Sequence, residues 1–174
     1  MRKLLLGIIT LFLSINALQA QSINSNNSSI QFRVKNMKVN TVSGSISGMK
    51  GKVAFNPNNL AESKFHVYID LNSIDTKNKK RDQHLKEEDF FNVQQFPNIS
   101  FESSQISKTD IGYLAKGNVT IKGISKTIEI PFRVNGKLFE GKTSINRYDF
   151  QLGKETGSFM IGEKVDIEII CEIN

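Results

Sequence analysis

The chain has 174 residues, a formal charge of +6, 12 phenylalanines, no tryptophan and a single cysteine, Cys171. Its length suits one domain with a sizeable core, and the lone cysteine excludes an intramolecular disulfide, so apolar packing must hold the fold. The one dense basic run, Lys77 to Arg81, is followed at once by Asp82, Glu87, Glu88 and Asp89, which speaks against the basic patch with base-stacking groups of a nucleic-acid binder.

Met1-Arg2-Lys3 followed by an almost wholly apolar stretch from Leu4 to Leu18 has the form of a secretory signal peptide, with cleavage favoured after Ala20. The apolar core is too short for a comfortable bilayer span, and no cysteine lies near its end to accept a lipid. The expectation is an exported protein, periplasmic or secreted, with one mature domain over residues 21–174. Losing Arg2 and Lys3 lowers the formal charge from +6 to +4.

Beyond the leader, apolar residues recur with a period of two. Ile30, Phe32 and Val34 alternate with Gln31, Arg33 and Lys35. Gly44, Gly48 and Gly51 then interrupt the strand pattern of Val42 to Phe55, where bulges or sharp coiling are expected. Alternation resumes at Phe65, Val67, Ile69 and Leu71. It breaks from Asp75 to Phe91, where Asp75 or Thr76 can cap a short helix and Phe90 and Phe91 turn toward the body as a helical flap. It returns from Ile111 to Ile121, from Ile128 to Val134, and from Val165 to Ile173, where Cys171 is read as a buried, inert thiol. One apolar and one wet face per strand means antiparallel pairing. Hiding the edges of so many half-wet strands favours a closed barrel over a sandwich.

Nothing in the sequence assembles a catalytic set. There is no G-x-S-x-G, no H-E-x-x-H and no phosphate-cradling glycine loop. His66 and His84 are the only histidines and neither has metal-ligand spacing with cysteines or carboxylates, so no metal and no cofactor is expected. Arg81, Asp82 and His84 crowd one helical turn, where they either orient a polar head group or tie the helix to the barrel rim.

Ordered stretches across the mature chain resemble the YceI family. They include Ser29-Ile30-Gln31-Phe32-Arg33-Val34, Leu71-Asn72-Ser73-Ile74-Asp75-Thr76 leading into Arg81-Asp82-Gln83-His84-Leu85, Phe96-Pro97-Asn98-Ile99-Ser100-Phe101, and Ile145-Asn146-Arg147-Tyr148-Asp149-Phe150. Asn36 stands where a histidine is typical of that family. The resemblance implies an all-β, lipocalin-like antiparallel barrel of about eight strands with a short helical flap. It further implies a periplasmic location and an elongated cavity for a polyisoprenoid or another long-chain amphiphile. On that reading the ligand-binding residues are Phe32, Val34, Phe55, Phe65, Val67, Ile69, Phe101, Ile130, Phe132 and Ile167. Arg81, Asp82, His84, Phe90 and Phe91 flank the entrance. The expected partner is a lipid, a polyprenyl compound among the candidates, with transient contact at a membrane surface and no nucleic acid. Alternation alone leaves open whether the inward face bounds a cavity or interdigitates into a solid core. The rival reading is a structural or interaction barrel of the cell envelope without a bound lipid.

Overall fold

A computed structural model describes residues 19–37 and 39–174. The apolar run of the signal-peptide reading, residues 1–18, lies outside the described residues.

The alternating segments form ten strands: β1 (Gln21–Ser22), β2 (Ser29–Asn36), β3 (Asn40–Ser47), β4 (Lys50–Ala54), β5 (Lys64–Asp70), β6 (Asn98–Thr109), β7 (Gly112–Ile121), β8 (Ile124–Asn135), β9 (Leu138–Asn146) and β10 (Ile161–Glu172). The helix α1 spans Lys79–Leu85. All strands belong to one antiparallel sheet in the order β1-β4-β5-β6-β7-β8-β9-β10-β2-β3. Period-two patterning did not single out β6 or β9.

The closed eight-stranded barrel is corrected by this topology: the sheet curls into an open half-barrel. β3 and β4 are neighbours in sequence, yet β3 ends the strand order at one side and β4 stands next to last at the other. Only Gly48 and Met49 separate them, a reach of about 10 Å, so the sheet must curl until its ends approach there. Gly48, with φ of +73°, makes the bend. Beyond that corner no ladder among the described residues joins the two ends. Instead the free edge of β3 meets the turn around Asp75, where the Ser45 and Asp75 amides each donate to the other's carbonyl at 2.9 Å. The Ser73 hydroxyl adds bonds to the Ser47 amide and carbonyl, both 2.9 Å. Alternation reports which side of each strand is wet, but it carries no information on whether the last strand finds the first. At the other edge the two-residue β1 covers part of β4, pairing Gln21 with Val53 and Ser22 with Lys52, and its shortness leaves little edge to template further pairing.

The two ends of the half-barrel differ. The β6–β7 and β8–β9 turns mark one end, which is packed solid by Phe55, Phe65, Tyr113, Phe132 and Phe139. Their ring centroids lie 5.0 Å apart for Phe55–Tyr113 and 5.4 Å for Phe65–Phe132, mostly in edge-on arrangements. Such geometry suits aromatic quadrupoles. The β2–β3 turn, residues 71–97, the β7–β8 turn and residues 147–160 gather at the opposite end. There α1 begins at a different cap from the one expected. The Asn78 side chain, not Asp75 or Thr76, accepts from the Arg81 amide at 3.1 Å. Thr76 is occupied otherwise: its amide and hydroxyl both donate to Asp82 Oδ1, at 2.8 and 2.5 Å.

Candidate functional site

Between the aromatic plug and the open end lies a cavity of about 470 Å³ with an almost wholly apolar lining, within the size range of small-molecule sites. Its walls are largely the inward positions of eight strands, among them Ile30 on β2, Ile46 on β3, Ile69 on β5, Ile99 on β6, Val119 on β7, Ile128 on β8, Ile145 on β9 and Ile169 on β10. Because side chains alternate, one parity on every strand supplies the wall while the other faces water. The inward face therefore does both things that alternation left open, interdigitating at one end and enclosing space at the other.

Of the residues expected to line a cavity, Phe32, Val34, Val67, Ile69, Phe101, Ile130 and Ile167 border this one. Phe55, Phe65 and Phe132 do not; they belong to the aromatic plug. Parity along a strand tells inside from outside, whereas height along the barrel axis depends on register between strands, which a single sequence does not display. Two large rings on the wall are accommodated by glycines. The space a Cβ would fill at Gly44 is taken by the Phe32 ring and, at 2.9 Å, the Thr76 methyl; at Gly117 the Phe101 ring stands at 2.8 Å. The rings thus lie back against neighbouring strands instead of filling the space.

Of the residues assigned to the entrance, Arg81, His84, Phe90 and Phe91 border the cavity and Asp82 does not. Asp82 is turned to Thr76, and Arg81 reinforces the same point, donating through Nε to the Thr76 hydroxyl and through Nη2 to its carbonyl, both at 2.8 Å. Both alternatives for this cluster are therefore partly realised: a tie between helix and rim, with Arg81 at the cavity edge. The turn after α1 also brings together what spacing did not suggest. His84 Nε2 lies 3.0 Å from Asp89 Oδ2 and Nδ1 lies 3.9 Å from Glu87 Oε2, with the imidazole edge-on to Phe90 at 5.0 Å. All three polar residues are exposed, where water competes for every ligand position.

Arg147, at the cavity edge, is not among the residues assigned to the site from sequence. Arg147 is only 2 % exposed, yet no carboxylate pairs with it among the described residues. Its Nη1 donates to the carbonyls of Leu152 (2.8 Å) and Gly153 (2.6 Å), its Nη2 to those of Thr156 (2.6 Å) and Ile161 (3.0 Å), and its Nε to that of Gly162 (3.1 Å). The guanidinium lies over the Tyr148 ring at 3.9 Å. A planar fork with five N–H groups can gather a whole loop in this way, and an ammonium cannot. Arg147 thereby shapes the segment whose Leu152, Thr156, Met160 and Ile161 form one side of the opening. Apart from its place in a stretch with family resemblance, nothing in the local sequence marks it.

Comparison with known proteins places this geometry. The sequence profile of the YceI-like domain matches residues 21–173. A UPF0312 protein of Yersinia pestis (strain Pestoides F) is 32% identical over 138 residues, which is 74% of this chain and 72% of that protein. The crystal structure of BcnA from Burkholderia cenocepacia superimposes with a TM-score of 0.78 at 25% identity, covering 86% of this chain and 98% of that one. A polyisoprenoid binding domain from Saccharophagus degradans shares the fold at a TM-score of 0.67 and 14% identity, covering 89% of this chain and 99% of that domain.

Proposed function

The chain belongs to the YceI-like family, and from that premise we propose that it is a non-catalytic binding protein of the bacterial periplasm that stores or carries one long-chain amphiphile in its half-barrel. The observation that carries this reading is the apolar cavity of about 470 Å³ set between a solid end and an open one. Its volume corresponds to roughly 15 chain carbons if each takes about 30 Å³, the share of one water in the liquid. That suits a fatty-acyl chain or the first few units of a polyprenyl chain, whose remainder would extend through the open end. The polyisoprenoid ligand named for the Saccharophagus degradans domain supports a polyprenyl cargo through shared fold alone. The signal-peptide pattern read in residues 1–20 supports export. Burial of each methylene contributes roughly 0.8 kcal/mol, so chain length dominates affinity and the lining residues Phe32, Val34, Val67, Ile69, Phe101, Ile130 and Ile167 set the shape.

The rival, a lipid-free interaction barrel, draws on exposed apolar residues at the open end. Val39 is 80 % exposed, and Met37, Phe159 and Met160 are also well exposed, with the Met37 amide bonded to the Met160 carbonyl at 3.1 Å.

Native mass spectrometry of detergent-free protein, with solvent extraction of any adduct, separates the two readings. Titration with alkyl compounds of graded length adds a quantitative prediction. Affinity should rise up to about fourfold per methylene, the equivalent of 0.8 kcal/mol, and level off near 15 carbons. Folded protein that carries no adduct and takes up no member of the series would favour the interaction barrel.

A further inference from the structure

We propose that the amphiphile bears a negatively charged oxygen head group, a carboxylate or phosphate monoester, selected by Lys35, Arg81 and Arg147. The inference rests on the cavity-binding reading above and specifies its ligand class. The charged side chains that border the cavity are Lys35, Arg81, His84 and Arg147, and no Asp or Glu is among them. Carboxylates are not scarce, since the chain has 17 Asp plus Glu against 23 Lys plus Arg; their exclusion from the cavity edge is a matter of placement. Several cations on the outer faces do have carboxylate partners, although others, such as Lys126, have none among the described residues. Arg33 and Lys142 both bind Glu168 at 3.2 Å, and Lys77 binds Asp75 at 2.6 Å. Among the described residues Lys35, Arg81 and Arg147 have no carboxylate within ion-pair distance. His84 is the exception at this edge, because Glu87 and Asp89 face it.

These groups form a connected arc. His84 and Arg81 share α1, and His84 touches Phe90. The Phe90 ring and Arg147 Nη1 both stand over Gly153, at 2.7 and 3.5 Å from the place of its missing Cβ. Arg147 donates to the Gly162 carbonyl, and Gly162 packs on Lys35. Arg147 spends its donors on carbonyls and acts through its charge, which an apolar surrounding screens less than water does. Arg81 retains Nη1 after binding Thr76, whereas the Lys35 ammonium is turned to the outer face, where it holds the Thr41 hydroxyl at 3.1 Å and acts, like Arg147, through its charge. An anionic head at the rim would accept from Arg81 Nη1 while its chain runs toward Phe101 and Ile130.

The experiment compares hexadecanoate and hexadecyl phosphate with hexadecanol, bound by the mature protein at mildly alkaline pH and low salt. At least one anion should bind roughly tenfold more tightly than the alcohol, the worth of one charge-assisted hydrogen bond, and the advantage should shrink as salt is raised. Which anion gains more identifies the head group as carboxylate or phosphate. Arg81→Gln should narrow the anion-to-alcohol ratio by about threefold, and Lys35→Gln, which removes only a charge from the outer face, by less; the Lys35 variant tests the ratio without disturbing the Thr76 network. A merely structural loss weakens all three ligands together and leaves the ratio unchanged, and that outcome in both variants overturns the assignment. Equal binding of alcohol and anions overturns the head-group class while leaving the cavity reading intact. Failure of all three to bind overturns both.

Discussion

Cys171 pairs across the sheet with Phe139 and lies buried beside the aromatic plug. Burial pushes its thiol up from 9.0 to about 11, and a hydrogen bond involving Ser28 offsets this only in part. The unfolded chain therefore ionises first as pH rises. The contribution of this group to stability is fully present below pH 9.0 and is lost progressively toward about 11, by an amount of order 2 kcal/mol. Urea unfolding across that window should show a steeper alkaline decline for the unmodified protein than for Cys171→Ala; parallel profiles would dispose of the assignment. The inward side of Cys171 was legible from Val165, Ile167, Ile169 and Ile173 on the same parity. What was not legible at this scale is height: Phe65 and Ile69 share a face of β5, yet one joins the plug and the other the cavity.

At the scale of elements, the strands found from sequence are those whose apolar positions keep one parity from end to end, even where a glycine such as Gly44 or Gly117 stands among them. β6 carries a register shift between Ser103 and Gln105, so its apolar positions fall out of step halfway along. β9 fills inward positions with Gly141 and Thr143 as well as Phe139 and Ile145, diluting the signal. The 147–162 segment has no repeat of its own and depends on Arg147. Replacing it, Arg147→Met, would leave the carbonyls of Leu152, Gly153, Thr156, Ile161 and Gly162 without their donor, and the loss should amount to about 3 kcal/mol or more. Arg147→Lys should recover little of it. Limited proteolysis gives the check: both variants should be cut within residues 151–160 under conditions where the parent chain resists. Equal resistance would show that the segment is held by something else.

For the molecule as a whole, the all-β class, antiparallel pairing and short helix were readable from alternation and its single interruption, but closure was not. Closure is decided by the two residues between β3 and β4 and by a turn that contributes one backbone pair where a barrel would contribute a ladder. A tube slit along its length loses most of its resistance to twisting. The Ser45 and Asp75 amides, although bonded at 2.9 Å, should thus exchange with deuterium far sooner than those of Phe101 and Val119, which sit within the long β6–β7 ladder; equal protection would mean that the slit is rigid. In a complete barrel, a ring of ladder bonds fixes the bore, and a branched or bulky chain must break bonds to enter. Here the Ser45–Asp75 pair and the Ser73 bonds stand in place of that ladder, so under the proposed function the calibre of the cargo should be graded by how far this seam gives instead of being set by a fixed gauge.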